Sequence, residues 1–295
     1  MNHNPASRPR YVPLSVRLRI VLGGFMSQFG WFFFGFGLIF VWIFGLYADY
    51  SSLYHFHGPV KTVDGTVTEI VKTKRSEGGS HSGSRGTPVY AYHYEFELEG
   101  AVFPGLSYVG GKRFEPGDQV TVEYPASQPK INRIKGMRRA LLPWMVGFVF
   151  LFPLVGLGFI ISGLKTGLRA NRLLTFGRLG MGTLVAKEPT RTRINKRTVY
   201  KLTFEFETHT GRRYQVSART HLPETLEDEE QEQLLYDPVQ PAYAVMLNSL
   251  PGAPALDHSG DVYFKGDTMP ALLVLLIPVT TVVGHSYYLY KNFFV

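Results

Sequence analysis

Three groups of residues in this 295-residue chain have side-chain types and spacings that chemistry could use. Gly105 to Gly111-Lys112-Arg113 has the glycines and the lysine of a phosphate-binding loop, where backbone N–H groups cradle phosphate and a Ser or Thr holds magnesium. The first glycine is one residue out of register and Arg113 stands where the Ser or Thr is required, so a hairpin turn is expected instead. His55-Phe56-His57 can place two imidazoles on one side of an extended segment, but a metal centre needs further ligands in a defined geometry. An interfacial loop without metal is the expectation there. Gln28 and His285 lie inside long uncharged stretches, where polar groups are costly in lipid and are used more often for interhelical hydrogen bonds than for chemistry. No Asp, Glu, Lys or Arg accompanies them to build a relay, so transport lacks its usual residues.

No nucleophile–base pair, carboxylate dyad or metal cluster stands out, and the expectation is a protein that is not an enzyme and carries no cofactor. The chain has no cysteine, hence no disulfide, thiolate metal site or Cys nucleophile, and gives no redox evidence about compartment. The formal charge of +8 invites a nucleic-acid reading, yet half of it sits in the N-terminal tail as Arg8, Arg10, Arg17 and Arg19. A basic tail ahead of an apolar block is an orientation signal, and no nucleic-acid partner is expected.

Those residues are held by three apolar blocks and two soluble segments between them. After the basic tail of residues 1–19, residues 20–48 contain no Asp, Glu, Lys or Arg, and as a helix would reach about 43 Å against a hydrocarbon core of about 30 Å. The block is too long for a signal-peptide core and reads as an uncleaved anchor. Residues 140–164 form a second uncharged stretch, with Trp144 near one end and a mid-span Pro153 that predicts a kink or a re-entrant path. Residues 269–290 form the third, ending in Tyr287, Tyr288 and Tyr290. The arginine-rich start predicts a cytoplasmic N-terminus in a multi-pass inner-membrane protein. Basic residues flank the second span on both sides, so the side of the second soluble segment stays open, as does full crossing by that span. Glycines 23, 24, 30, 35, 37 and 45 in the first span would permit close helix contact, within an oligomer or with other subunits.

The two soluble segments, 60–136 and 178–252, are copies of one module. Gly65-Thr66-Val67 opens the first and Gly182-Thr183-Leu184 the second. Tyr90, Tyr92, Tyr94, Phe96 and Leu98 then alternate with polar residues, as do Tyr200, Leu202, Phe204 and Phe206, which is the period of a half-buried strand. Both run through a glycine turn (Gly100, Gly211) and close on Tyr124-Pro125 to Pro129 and Tyr236-Asp237-Pro238 to Pro241. Four or five short antiparallel strands per module, as an open barrel or sandwich, are predicted, with a last strand around Ile131 and Ile134 or Ala242 to Leu247. The Ser/Gly-rich stretch Lys72 to Pro88 reads as a flexible hairpin tip. The basic run Arg191, Arg193, Lys196, Arg197 would meet anionic lipid or the acidic run Glu224 to Glu232.

The opening Gly-x-Val, the Tyr-x-Tyr strand and the closes Val120-Thr121-Val122-Glu123-Tyr124 and Leu235-Tyr236-Asp237-Pro238 resemble a bacterial membrane-protein family whose β-rich domain between helices has no assigned function. The chain departs from it in carrying two modules and in the acidic run. The resemblance implies no catalytic residues. The resulting expectation is a membrane accessory, scaffold or assembly protein that contacts lipids and a protein partner or a second copy. The alternative is a membrane-linked binding module for a small ligand, ion or lipid.

Overall fold

The computed structural model describes residues 9–78, 86–227, 230–264 and 272–294, and shows an α+β chain with two apolar helices and two five-stranded antiparallel sheets. It divides into two compact units, Gly37–Leu151 and Met1–Phe36 with Phe152–Val295.

In the first unit, the end of α2 (Phe25–Ile43) and a 3-10 turn, Gly45–Tyr47, lead through a short α3 (Ser51–His55) into five strands. These are β1 (Val60–Glu77), β2 (Thr87–Leu98), β3 (Ala101–Gly110), β4 (Gln119–Pro125) and β5 (Arg133–Ile134), in the order β3-β2-β1-β4-β5. Alternation decides the faces: Tyr92, Tyr94 and Phe96 are buried with Val67, Val120, Val122 and Ile134, while Glu95 and Glu97 are exposed. The outer strands approach each other, for Tyr108 and Arg138 exchange backbone hydrogen bonds of 2.7 and 3.0 Å.

The second unit contains α1 (Leu14–Leu22), most of α2, α4 (Leu151–Phe176) from its second residue, and the strands β6 (Arg178–Ile194), β7 (Arg197–Glu207), β8 (Arg213–Thr220), β9 (Glu232–Tyr236) and β10 (Ala244–Met246). Their order, β10-β9-β6-β7-β8, repeats the first sheet. A small hairpin, β11 (Ala255–Leu256) with β12 (Val262–Tyr263), and helix α5 (Leu276–Phe293) follow.

The repeat extends to the register. Gly65 pairs with Phe96 as Gly182 does with Phe206, and β1 is irregular between Val67 and Glu69 and between Lys72 and Ser76, as β6 is between Leu184 and Ala186 and between Pro189 and Arg193. The opening glycines are needed for space, not for a special backbone angle. A Cβ on Gly65 would lie 2.9 Å from the Glu95 carbonyl oxygen, and one on Gly182 2.9 Å from Leu234.

The helices depart from expectation in four ways. Gly23-Gly24 break the first block, so Ile20 to Leu22 belong to α1, whose Val16 and Ile20 are buried with Val12, Ala170, Leu173, Leu174 and Leu235 beneath the second sheet. Pro153 does not kink a helix interior. A 3-10 segment, Trp144–Phe150, runs directly into α4, so Pro153 stands in the first turn of α4, next to the change from 3-10 to α-helix. The helix also continues past Leu164 to Phe176, because Lys165, Arg169 and Arg172 are all helix formers and end only the uncharged stretch. Two segments, 25–47 and 144–176, are long and apolar enough to cross a membrane, each containing an 18-residue window of mean hydropathy 2.1 and 2.4, respectively. The third block, expected over 269–290, begins outside the described residues, and its described helix ends in tyrosines, Lys291 and Asn292, so it is not a third of that kind.

Candidate functional site

The residues singled out in the sequence fall into four places. The first is the interior of the first sheet. Tyr94 is 1% exposed, and its hydroxyl donates to Asn132 Oδ1 at 2.7 Å and accepts from Ser107 Oγ at 3.4 Å. Ser107 Oγ in turn accepts from the Ile134 N–H at 2.9 Å, and Asn132 Nδ2 donates to the Pro129 carbonyl at 2.9 Å. Three strands and a turn are thus joined by one buried polar set. Register places Phe204, Ala218 and Ala244 at the matching positions of the second sheet, which is apolar there. Tyr92 accepts the Arg113 N–H at 2.6 Å, Tyr124 stacks on Phe96, and Tyr236 accepts the His209 N–H at 3.1 Å. These motif residues are sheet and turn determinants. Pro238 and Pro241 lie in the β9–β10 turn, where Asp237 Oδ1 accepts the Val239 and Gln240 N–H groups.

Burial pushes the Tyr94 phenol up to about 12, against smaller lowering effects of the Ser107 bond and Arg139. A tyrosine in the unfolded chain titrates near 10, so between about pH 10 and 12 the unfolded state releases a proton that the fold retains. Stability present in full below pH 10 is therefore lost as pH rises toward 12, by about 2–3 kcal/mol. The stability gap between the wild type and Tyr94→Phe, read from melting midpoints, is expected to narrow by that amount between pH 8 and pH 12. A gap independent of pH would refute the assignment.

The second place joins the end of the first apolar segment to its sheet. Asp49 is 2% exposed; its Oδ1 accepts from Ser51 Oγ (3.0 Å) and the Ser52 N–H (3.1 Å), and its Oδ2 from Ser52 Oγ (2.5 Å) and the Arg139 N–H (2.9 Å). Burial alone would raise this carboxyl, but the bonds from Ser52, Arg139 and Ser51 outweigh it and hold the group below its ordinary value. Arg139 and Arg133 donate to the Ser51 and Ser52 hydroxyls, both at 3.1 Å, and Arg133 also bonds Glu123 and lies over Phe56. The cluster clasps α3 to β4 and β5. Among the described residues, no group of three or more His, Asp or Glu is placed to hold a metal ion. Gly105 to Gly110 are strand β3 and not a turn, because each pairs with β2. Only Gly111 onward turns, with φ +80° at Gly111.

The third place is the helix pair. Antiparallel α2 and α4 meet along glycines: a Cβ would lie 2.6 Å from the Ile160 N at Gly30, 2.5 Å from the Phe34 N at Gly156, and 2.6 Å from the Ser27 N at Gly163. Gly30 and Gly35 are thus occupied within the chain. The facing glycines of α4 include the pattern Gly163-x-x-x-Gly167, a sequence signal for close helix contact that the first apolar block alone does not reveal. Gln28 Nε2 donates to the Leu22 carbonyl, freed by the Gly23-Gly24 break, and to the Val274 carbonyl, both at 2.8 Å. His285 Nε2 lies 3.0 Å from the Gly35 carbonyl oxygen, tying α5 to α2.

The fourth place was not visible in the sequence. Between the charged end of α4 and the β9–β10 turn lies an open cleft of about 480 Å³. Thr166, Arg169 and Arg172 line one wall, Asp237 and Tyr243 the other, and Leu173, Val245 and Leu250 are among the apolar residues between. Arg172 is 3.8 Å from Asp237, and Arg169 faces the Tyr243 ring at 5.9 Å. The basic run of the β6–β7 hairpin meets the acidic stretch through Arg197–Glu224 at 3.2 Å, with Lys187–Glu227 beside it at 2.8 Å. Asp228, Glu229 and residues 79–85, which include the centre of the expected hairpin tip, lie outside the described residues. Compared with family models, curated protein sequences and solved structures, the chain matches none of them.

Proposed function

We propose that the chain is a multi-pass membrane protein that presents two small β modules and acts, without catalysis, as an accessory, scaffold or assembly component through their protein contacts. The carrying observation is the outward surface of the long helices. Phe32, Phe36, Ile39, Leu151, Leu154 and Ile161 are all exposed, which water would penalise and lipid would accept, while the facing sides close on glycine. In this reading α5 is a third spanning helix, with His285 and Thr281 turned to α2 and Val279, Val282 and Val283 outward. Each sheet is an open barrel, its outer strands drawn together as Tyr108 and Arg138 are. The resemblance to the bacterial family with a β domain between helices supports the same architecture.

The shared core of α1, the end of α4 and the second sheet supports a particular topology. If α2 and α4 both cross, the N-terminal arginines and those of α4 add on one side, which is then cytoplasmic, and residues 60–136 lie on the other. Of the arginines that precede α4, Arg133 and Arg138 are spent on Glu123 and Glu77. The absence of cysteine makes the test direct. An impermeant maleimide should label Ser127→Cys but not Thr192→Cys in right-side-out vesicles, and the reverse in inverted ones. Labelling of both from one side would overturn this topology. Recovery of the chain alone and monomeric after cross-linking in native membranes would overturn the scaffold role.

A further inference from the structure

The cleft beside α4 is built differently from the other polar clusters, which are closed on themselves. Its two guanidiniums come from one face of α4, three residues apart, and both are exposed. Arg172 leans on Asp237, at 3.8 Å the longest ion pair of the described residues, and that carboxylate already accepts two backbone N–H groups. Arg169 has no carboxylate within ion-pair distance among the described residues and faces only a tyrosine ring. The space in front of them is therefore positive, floored by apolar side chains and edged by the Thr166 and Tyr243 hydroxyls.

Depth decides what can fill it. The uncharged part of α4 ends at Leu164, and at about 1.5 Å per residue Arg169 lies about 7 Å and Arg172 about 12 Å further along the helix. The headgroup layer of a bilayer extends about 5–7 Å beyond the hydrocarbon on each side, so the Arg169 backbone lies at its outer edge, and the lean of helical side chains toward the helix N-terminus, here toward the bilayer, carries the long Arg172 side chain back toward that edge. On the neighbouring face Leu168 is 57% exposed, so apolar surface continues past Lys165 up to the level of the cleft. Arginine presents a fork that matches phosphate oxygens, and it is more weakly hydrated than lysine at such a boundary.

We propose that this cleft binds a phosphate group, supplied by the headgroup of an anionic glycerophospholipid of the leaflet that faces α1 and the second sheet. The phosphate sits between Arg169 and Arg172, the Tyr243 hydroxyl donates to it, Thr166 Oγ1, whose proton goes to the Ser162 carbonyl at 3.0 Å, accepts from a headgroup hydroxyl, and the glycerol and upper acyl chain follow Leu168 along α4. The proposal rests on the reading of α2 and α4 as spanning helices. Alkaline carbonate extraction tests that reading alone: release of the chain from membranes would refute the spanning helices before any lipid is added.

The test uses the full chain, delipidated in detergent and titrated with phosphatidylglycerol or phosphatidylcholine under native mass spectrometry. One phosphatidylglycerol should be retained preferentially, and Arg169→Gln with Arg172→Gln should weaken its retention about thirtyfold. Arg191→Gln with Arg193→Gln removes equal charge from the β6–β7 hairpin and should leave it unchanged. Both pairs are exposed, and unchanged melting midpoints verify that the variants fold. Equal retention of phosphatidylcholine, or equal loss in the hairpin variant, would overturn the site. Displacement of the lipid by millimolar inorganic phosphate would overturn the lipid as the source.

Discussion

Gly163→Val is expected to lower the melting midpoint of the full chain in detergent by about 10 °C and to leave much of it aggregated, whereas Gly158→Val on the same helix leaves it unchanged. A Cβ at Gly163 would stand 2.6 Å from the Ser27 nitrogen and 2.8 Å from its Cα. These are backbone atoms of a helix and cannot rotate aside, so α2 and α4 must separate. Separation weakens the seam on either side, at Gly156 against Phe34 and at Gly167 against Val21. Between helices in lipid the hydrophobic effect contributes little and close van der Waals packing much of the attraction, so the loss of fit is felt in full, about 3 kcal/mol or more. Gly158 faces open space, and a side chain there meets nothing within 4 Å. Equal stability of the two variants would show that the seam does not hold the helices together.

Gly105→Ala should unfold the first sheet selectively. The Tyr94 ring lies across Gly105 of the neighbouring strand, where a Cβ would sit 2.1 Å from the ring Cζ and 2.4 Å from Asn132 Oδ1. An alanine displaces the ring, and with it the hydrogen bond that satisfies both Tyr94 and Asn132. The cost combines overpacking with buried polar groups left unpaired, about 3–5 kcal/mol. Limited proteolysis should cut within residues 60–136 before residues 178–252. In a Tyr94→Ala background the same substitution should cost far less, because its obstacle is gone. Additive effects of the two changes would contradict this account.

Much of the sheet architecture was legible because it is local. Alternation at Tyr92, Tyr94 and Phe96 and at Leu202, Phe204 and Phe206 assigned faces, and the repeated Gly, Tyr and Pro spacings aligned the copies before any pairing was known. What escaped was set by contacts across the chain. Tyr94, Ser107 and Asn132 come from three separate segments, and nothing in their spacing says that they converge. The extension of α4 is not readable from its uncharged stretch, because charge marks the end of an apolar stretch and not of a helix. Val16 and Ile20 of helix α1, with Val12 just before it, recur at four-residue intervals, a signal masked by the interleaved arginines. The cleft needed the β9–β10 turn brought to α4, which only the fold supplies.

Two sheets of one topology and one register in a single polypeptide pose a hazard while the chain is being made, since a strand of either copy could join the other. The polar trio guards against it. Phe204 in place of Tyr94 would leave Asn132 Oδ1 without its donor and the Ser107 O–H without its acceptor, and Tyr94 set among Ala218 and Ala244 would bury a hydroxyl with no acceptor. Each hybrid loses about 1–3 kcal/mol that the correct pairing keeps, so the copies can share a backbone plan and still sort their own strands during synthesis.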